Sequence, residues 1–257
     1  MRIATVGSCL SRQTARAVPF SRILNSVYHN RSDRLLETLL ASGENLKPHD
    51  ELCRLLKIDP GEKGEFAAAN LLRNQSAEGF GAHRLPDHAP FHKTLASARF
   101  DMILVDNFMD LGARLYQIAD AAPCFCRYPP AQAPAGQTLG RRLGPEESAD
   151  NFRQILSLLR SAQPAAQIVF IHFPTGNYPR ARQDRANAFL ECLKVPDGVQ
   201  VIAPRAVRPR FADREPQHFR RAEYWRYAME VLSLRARWRW QRAWRTGDRE
   251  SHAGVGP

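Results

Sequence analysis

The sequence predicts an α/β fold, a three-layer α/β/α sandwich built around a mostly parallel sheet. Three observations carry this. Four apolar runs, at residues 3–6, 102–105, 167–172 and 199–202, are short and nearly continuous, the pattern of strands buried on both faces of a parallel sheet. Segments with helical spacing lie between them. Strands alternating with helices imply right-handed crossovers that cover both faces of one sheet.

Taken in order, the first strand breaks off into Gly7-Ser8-Cys9, and a helix follows over 11–18. Helical patterns recur at 33–41, 51–57 and 65–73. Residues 79–92, rich in histidine and proline, read as irregular, as do residues 121–144 with Pro123, Pro129, Pro130 and Pro134. Such long loops in an α/β fold tend to rim a site. Residues 147–162 place Phe152, Ile155, Leu156, Leu158 and Leu159 on one side of a helix. A helix over 182–193 leads into the strand at 199, and one over 220–234 closes the domain. This divides the chain into an α/β domain at 1–234 and a basic, Trp- and Arg-rich extension at 235–257, with disorder expected from about residue 247.

The composition, 44% hydrophobic and 25% charged, is that of a globular protein. No apolar run approaches the roughly 18 residues of a transmembrane helix. The N-terminus lacks a signal peptide's apolar core, which makes a cytoplasmic protein the expectation. Five cysteines at irregular spacing argue against a disulfide framework. Cys124 and Cys126 form a C-x-C pair with no second pair at zinc spacing, so no metal site is expected. The net charge of +11 raises nucleic acid as a partner. Only five of the 37 basic residues are lysine, however; with an arginine skew in an Ala- and Pro-rich chain and no nucleic-acid fold signature, that partner is disfavoured.

Ligands of open parallel sheets sit beyond the carboxyl ends of the strands, and each of the four strand ends carries residues suited to acyl chemistry. Gly7 permits a sharp turn, and a helix starting at Ser8-Cys9 would favour negative charge at its N-terminus. Cys9 is then either a reactive thiol or a small buried apolar residue, and Ser8 either a nucleophile or an N-cap. Asp106-Asn107 follow the second strand. His172 ends the third and either lines a pocket or is simply hydrogen-bonded; Asn177 follows it. Glu215-x-x-His218 precedes the last helix. A carboxylate there can take the Nδ1 proton and leave Nε2 as a base, with Asp213 the competing partner.

"GSCLS" at residues 7–11 and "EPQHF" at 215–219 resemble the first and last blocks of the SGNH hydrolase superfamily, whose fold is flavodoxin-like. The spelling of the first block is similar to GSCFA-type and capsular-polysaccharide-biosynthesis branches. The resemblance implies that Cys9 stands at the nucleophile, Ser8 in place of an Asp, and Ser11 at a further serine. It puts His218 at the base, Glu215 at its acidic partner and Asn107 at an oxyanion donor. Asn25 and Gly81 are the candidates for the second-block glycine. The full G-x-N-D block is absent, and a cysteine nucleophile forms a thioester, which transfers its acyl group readily.

The function so implied is an esterase or O-acyltransferase acting on a carbohydrate or related acylated molecule. It needs no bound cofactor, and acetyl-coenzyme A is the candidate donor. Gly7, Arg12, His172 and Asn177 are the expected substrate-binding residues. Arg12 and Arg16, behind the nucleophile, and Arg180, Arg182 and Arg185 read either as anion ligands or as solvated helix faces. The alternative function is a catalytically silent module that binds glycan or protein. Trp238, Trp240 and Trp244 lie among arginines, a pattern fitting helix packing first and peripheral membrane contact second.

Overall fold

The computed structural model describes residues 1–85, 88–118, 124–125, 137–213, 215 and 217–251. Its strands are β1 (Arg2–Gly7), β2 (Arg22–Tyr28), β3 (Met102–Asp106), β4 (Leu115–Ile118), β5 (Cys124–Phe125), β6 (Gln137–Leu139), β7 (Gln167–Ile171) and β8 (Val199–Ile202). The helices are α1 (Cys9–Ala17), α2 (Ser32–Leu40), α3 (His49–Leu56), α4 (Phe66–Arg73), α5 (Phe91–Ser97), α6 (Pro145–Ala162), α7 (Arg180–Cys192) and α8 (Arg221–Ser251). Five strands form one parallel sheet in the order β2-β1-β3-β7-β8. This is the doubly wound, flavodoxin-like order, and the α/β/α expectation holds.

Side-chain alternation builds the layers. Ile3, Met102, Leu104, Val169 and Ile171 turn to one face, where Leu10 and Ala15 of α1 and Tyr227, Ala228 and Val231 of α8 cover them. Ala4, Val6, Ile103, Val105, Ile168 and Phe170 turn to the other, against Leu35, Phe152, Ile155, Leu156, Leu159 and Phe189. Each large apolar side chain so enclosed contributes about 1.5–3 kcal/mol. Helix starts follow local chemistry. α6 opens with Pro145 after Gly144, and the Glu147 carboxylate accepts from the Gly144 N–H at 3.3 Å. The α1 cap belongs to the site.

Several elements depart from the expectation. β2, with Asn25 and Ser26 at its centre, was not expected as a strand, because buried polar residues break its apolar run. Those residues are satisfied inside the fold: Ser26 Oγ accepts from Thr5 Oγ1 at 2.9 Å, and Asn25 Nδ2 donates to Gly81 and Ala89 carbonyls. α5 occupies 91–97 and overlaps the stretch read as irregular at residues 91 and 92, with Phe91 and Leu95 buried. Within the region read as loop and just before it, β5, β4 and β6 form a small antiparallel sheet. Pro123, Cys126, Pro129, Pro130 and Pro134 lie outside the described residues. The closing helix does not stop at 234 but runs to Ser251; residues 252–257 lie outside the described part. Among the described residues no helix is long and apolar enough to cross a membrane.

Candidate active site at the β1–β3 switch point

The strand order reverses between β1 and β3, the place where doubly wound sheets open a crevice at their carboxyl ends. Gly7 ends β1 with φ +143°, and a Cβ there would stand 2.5 Å from the Asp106 carboxyl group. Only glycine lets the buried Asp106 side chain lie against the turn. Its Oδ2 accepts the Ser8 N–H at 2.8 Å, the Ser11 N–H at 3.0 Å and the Ser8 hydroxyl at 3.1 Å; Oδ1 accepts the Phe108 N–H at 3.1 Å. Burial pushes this carboxyl up, and the N–H donors pull it back. Asp106 thereby clamps the start of α1 to the end of β3.

Ser8 is the N-cap of α1: its Oγ accepts the Leu10 N–H at 3.1 Å while donating to Asp106. It is 2% exposed. Ser11 is fully buried and donates to the Ser8 carbonyl. Cys9, the first helical residue, is partly exposed, and its Sγ lies 2.8 Å from the Tyr28 Oη. Tyr28 ends β2 and is sandwiched between His29 and His83, at ring centroid distances of 3.8 and 4.0 Å. His83 is tied to Asn74 at 3.1 Å, and burial, with Arg12 and Arg84 nearby, lowers it to about 3. Tyr28 and His83 escaped the sequence reading because β2 did; an aromatic residue at the end of a recognised second strand would have been the signal.

Asn107 is buried, and its Oδ1 accepts the Phe173 N–H at 2.9 Å. Its Nδ2 is buried with no acceptor among the described residues. His172 is fully enclosed: Nδ1 contacts the Phe173 carbonyl at 3.0 Å, the ring packs near Phe189, and burial lowers it to about 4. Its Nε2 is buried with no partner among the described residues. Asn177 is exposed and donates to the Val207 carbonyl at 3.4 Å, tying two loops.

His218 and Glu215 meet in the loop before α8, Nδ1 to Oε2 at 3.1 Å, and Gln217 donates to the same oxygen at 2.6 Å. Asp213 joins this loop through its backbone, donating to the His218 carbonyl at 3.4 Å. The loop is anchored by Phe219, which packs on Phe173 and Tyr224. The Tyr224 hydroxyl accepts the Phe219 N–H at 3.2 Å, and burial raises it while that bond lowers it.

The arginines divide. Arg180 pairs with Asp184 at 2.8 Å, and Arg182 stacks over Tyr178 and Phe108. Arg12 is buried in α1, three residues after Cys9, with Nε lacking a partner among the described residues. In the extension, Trp240 is 63% exposed on a helix continuous with the domain; the Trp244 side chain lies outside the described part. No group of three or more His, Cys, Asp or Glu among the described residues is arranged to hold a metal ion.

No protein-family model matches the chain. No curated protein matches it either. Solved structures that match include an acetyl xylan esterase from the rumen bacterium Butyrivibrio proteoclasticus, with a TM-score of 0.41 and 12% identity. The alignment covers 92% of this chain and 64% of the esterase chain, so the chain spans less than two thirds of that protein's length.

Proposed function

We propose that the chain is an acyl-group enzyme, an esterase or O-acyltransferase of acylated carbohydrates or related molecules, in which Cys9 is the nucleophile and His218 the base. The observation that carries this reading is the division of labour at the switch point. The Ser8 hydroxyl is consumed in capping α1 and bonding Asp106, while the Cys9 thiol stands partly exposed at the helix start beside a tyrosine hydroxyl. The positive end of the α1 dipole favours negative charge at that point.

His218, with Nδ1 on Glu215, takes the Cys9 proton at Nε2. The thiolate forms a C–S bond to the acyl carbonyl, and the resulting oxyanion is met by the Asn107 Nδ2 and the helix N-terminus. Collapse breaks the C–O bond to the alcohol, which leaves with the proton from His218. Water then cleaves the thioester to carboxylate in an esterase. In a transferase acetyl-coenzyme A loads the cysteine, with its thiol as leaving group, and a sugar hydroxyl accepts the acyl group.

The test is turnover of acetylated sugars and of acetyl-coenzyme A with a sugar acceptor. Removing one oxyanion donor costs about 10²–10³ in kcat, so Asn107→Ala should lose that much, and Cys9→Ala nearly all activity. Full turnover by Cys9→Ala would end the assignment.

A further inference from the structure

We propose that Arg12, with Arg84 beside it, forms an oxyanion-binding subsite next to Cys9, so that the substrate carries a carboxylate or phosphate close to the scissile acyl bond. This deepens the acyl-enzyme reading and rests on it.

Arg12 lies three residues after Cys9 in α1, on the same side of the helix. It is 8% exposed, its Nε is buried without an acceptor, and no carboxylate pairs with it among the described residues. A buried guanidinium is normally matched by an anion. The charges it feels most are the Arg16 and Arg84 cations, with the Tyr28 and Cys9 groups acting in the opposite sense. Burial and the two neighbouring cations lower its proton affinity. Arg84 is exposed, and φ +54° at this residue holds it in the loop whose His83 stacks on Tyr28. An arriving oxyanion would thus neutralise a charge that the fold leaves uncompensated. Its place one helical turn from the thiol does not suit the phosphates of coenzyme A, which the whole pantetheine arm separates from the sulfur. The anion belongs to the sugar or to the acyl group.

Alkylation of Cys9 by anionic iodoacetate and neutral iodoacetamide separates this subsite from the catalytic reading. Rates at Cys9 are followed by peptide mass spectrometry on the full chain at pH 7. The ratio of the two rates reports the anion site, and the iodoacetamide rate alone reports the nucleophile. Relative to a free thiol, the wild-type ratio should favour iodoacetate by about tenfold or more, the scale of one charge-assisted hydrogen bond. Arg12→Gln should abolish the preference and the exposed Arg84→Gln should weaken it without affecting folding. Stronger protection by inorganic phosphate than by acetate would identify a phosphoryl group, and the reverse a carboxylate. An unchanged ratio in both variants, with no protection by either anion, would overturn the subsite whatever the iodoacetamide rate. A Cys9 sluggish toward iodoacetamide counts only against the nucleophile.

Discussion

The Tyr28 hydroxyl lies 2.8 Å from the Cys9 Sγ, on a ring fixed flat between His29 and His83. With both faces covered, the phenol has little freedom to leave the sulfur. Tyr28→Phe keeps the stack and removes only the hydrogen bond that steadies negative charge at Cys9. It should slow alkylation of Cys9 by iodoacetamide about tenfold, the weight of one charge-assisted bond, and leave the thermal midpoint nearly unchanged. An unaltered rate would remove Tyr28 from the site.

Gly7→Ala should be strongly destabilising. The added methyl group would stand 2.5 Å from the Asp106 carboxyl group in a backbone conformation, φ +143°, that alanine rarely adopts. Strain of this kind costs on the order of 1–3 kcal/mol, and displacing the carboxylate adds to it. Urea denaturation against wild type measures the loss.

Asp106→Ala should cost about 3 kcal/mol or more, because it strands the N–H groups of Ser8, Ser11 and Phe108 in the interior. Asp106→Asn retains an acceptor and should recover part of the loss. The same denaturation experiment ranks the two, and equal stability of Ala and Asn would contradict the clamp.

Acid should weaken the fold between pH 6.5 and about 4. His172, lowered to about 4 by burial, stays neutral in the fold while the unfolded chain protonates near 6.5. The unfolded state therefore takes up protons first as pH falls, and His83, lowered to about 3, acts in the same sense. His172 alone accounts for about 3 kcal/mol across this range. Asp110 opposes them: raised to about 6 by burial, its contribution is present below its unfolded value and is lost as pH rises through 6. Stability measured at pH 7 and pH 4.5 should fall in wild type and fall less in His172→Gln.

Much of the architecture was legible because β3 and β7 are buried on both faces and apolar except at one end each, Asp106 and Gln167. β2 was not, since its interior holds Asn25 and Ser26, whose partners Gly81 and Thr5 are distant in sequence. The Gly7-Ser8-Cys9 turn announced itself through local chemistry, as did the spacing of Glu215 and His218. Asp106 was seen only as the neighbour of Asn107; its clamp role needs the 95 to 98 residues between it and α1 to be folded away. His172 reads as a site residue by its place at a strand end, yet Phe189 and the Phe173 carbonyl enclose it. Periodicity does not report such tertiary closure.

The most direct measurement is peptide mass spectrometry after brief exposure of the full chain to acetyl-coenzyme A or an activated acetyl ester. Wild type, Cys9→Ala and His218→Ala are compared. An acetyl group on Cys9, absent in the first variant and slower to form in the second, is the predicted result. No adduct on Cys9, together with a thiol no faster toward iodoacetamide than Cys192, would contradict the account and make Gly7-Ser8-Cys9 a structural turn.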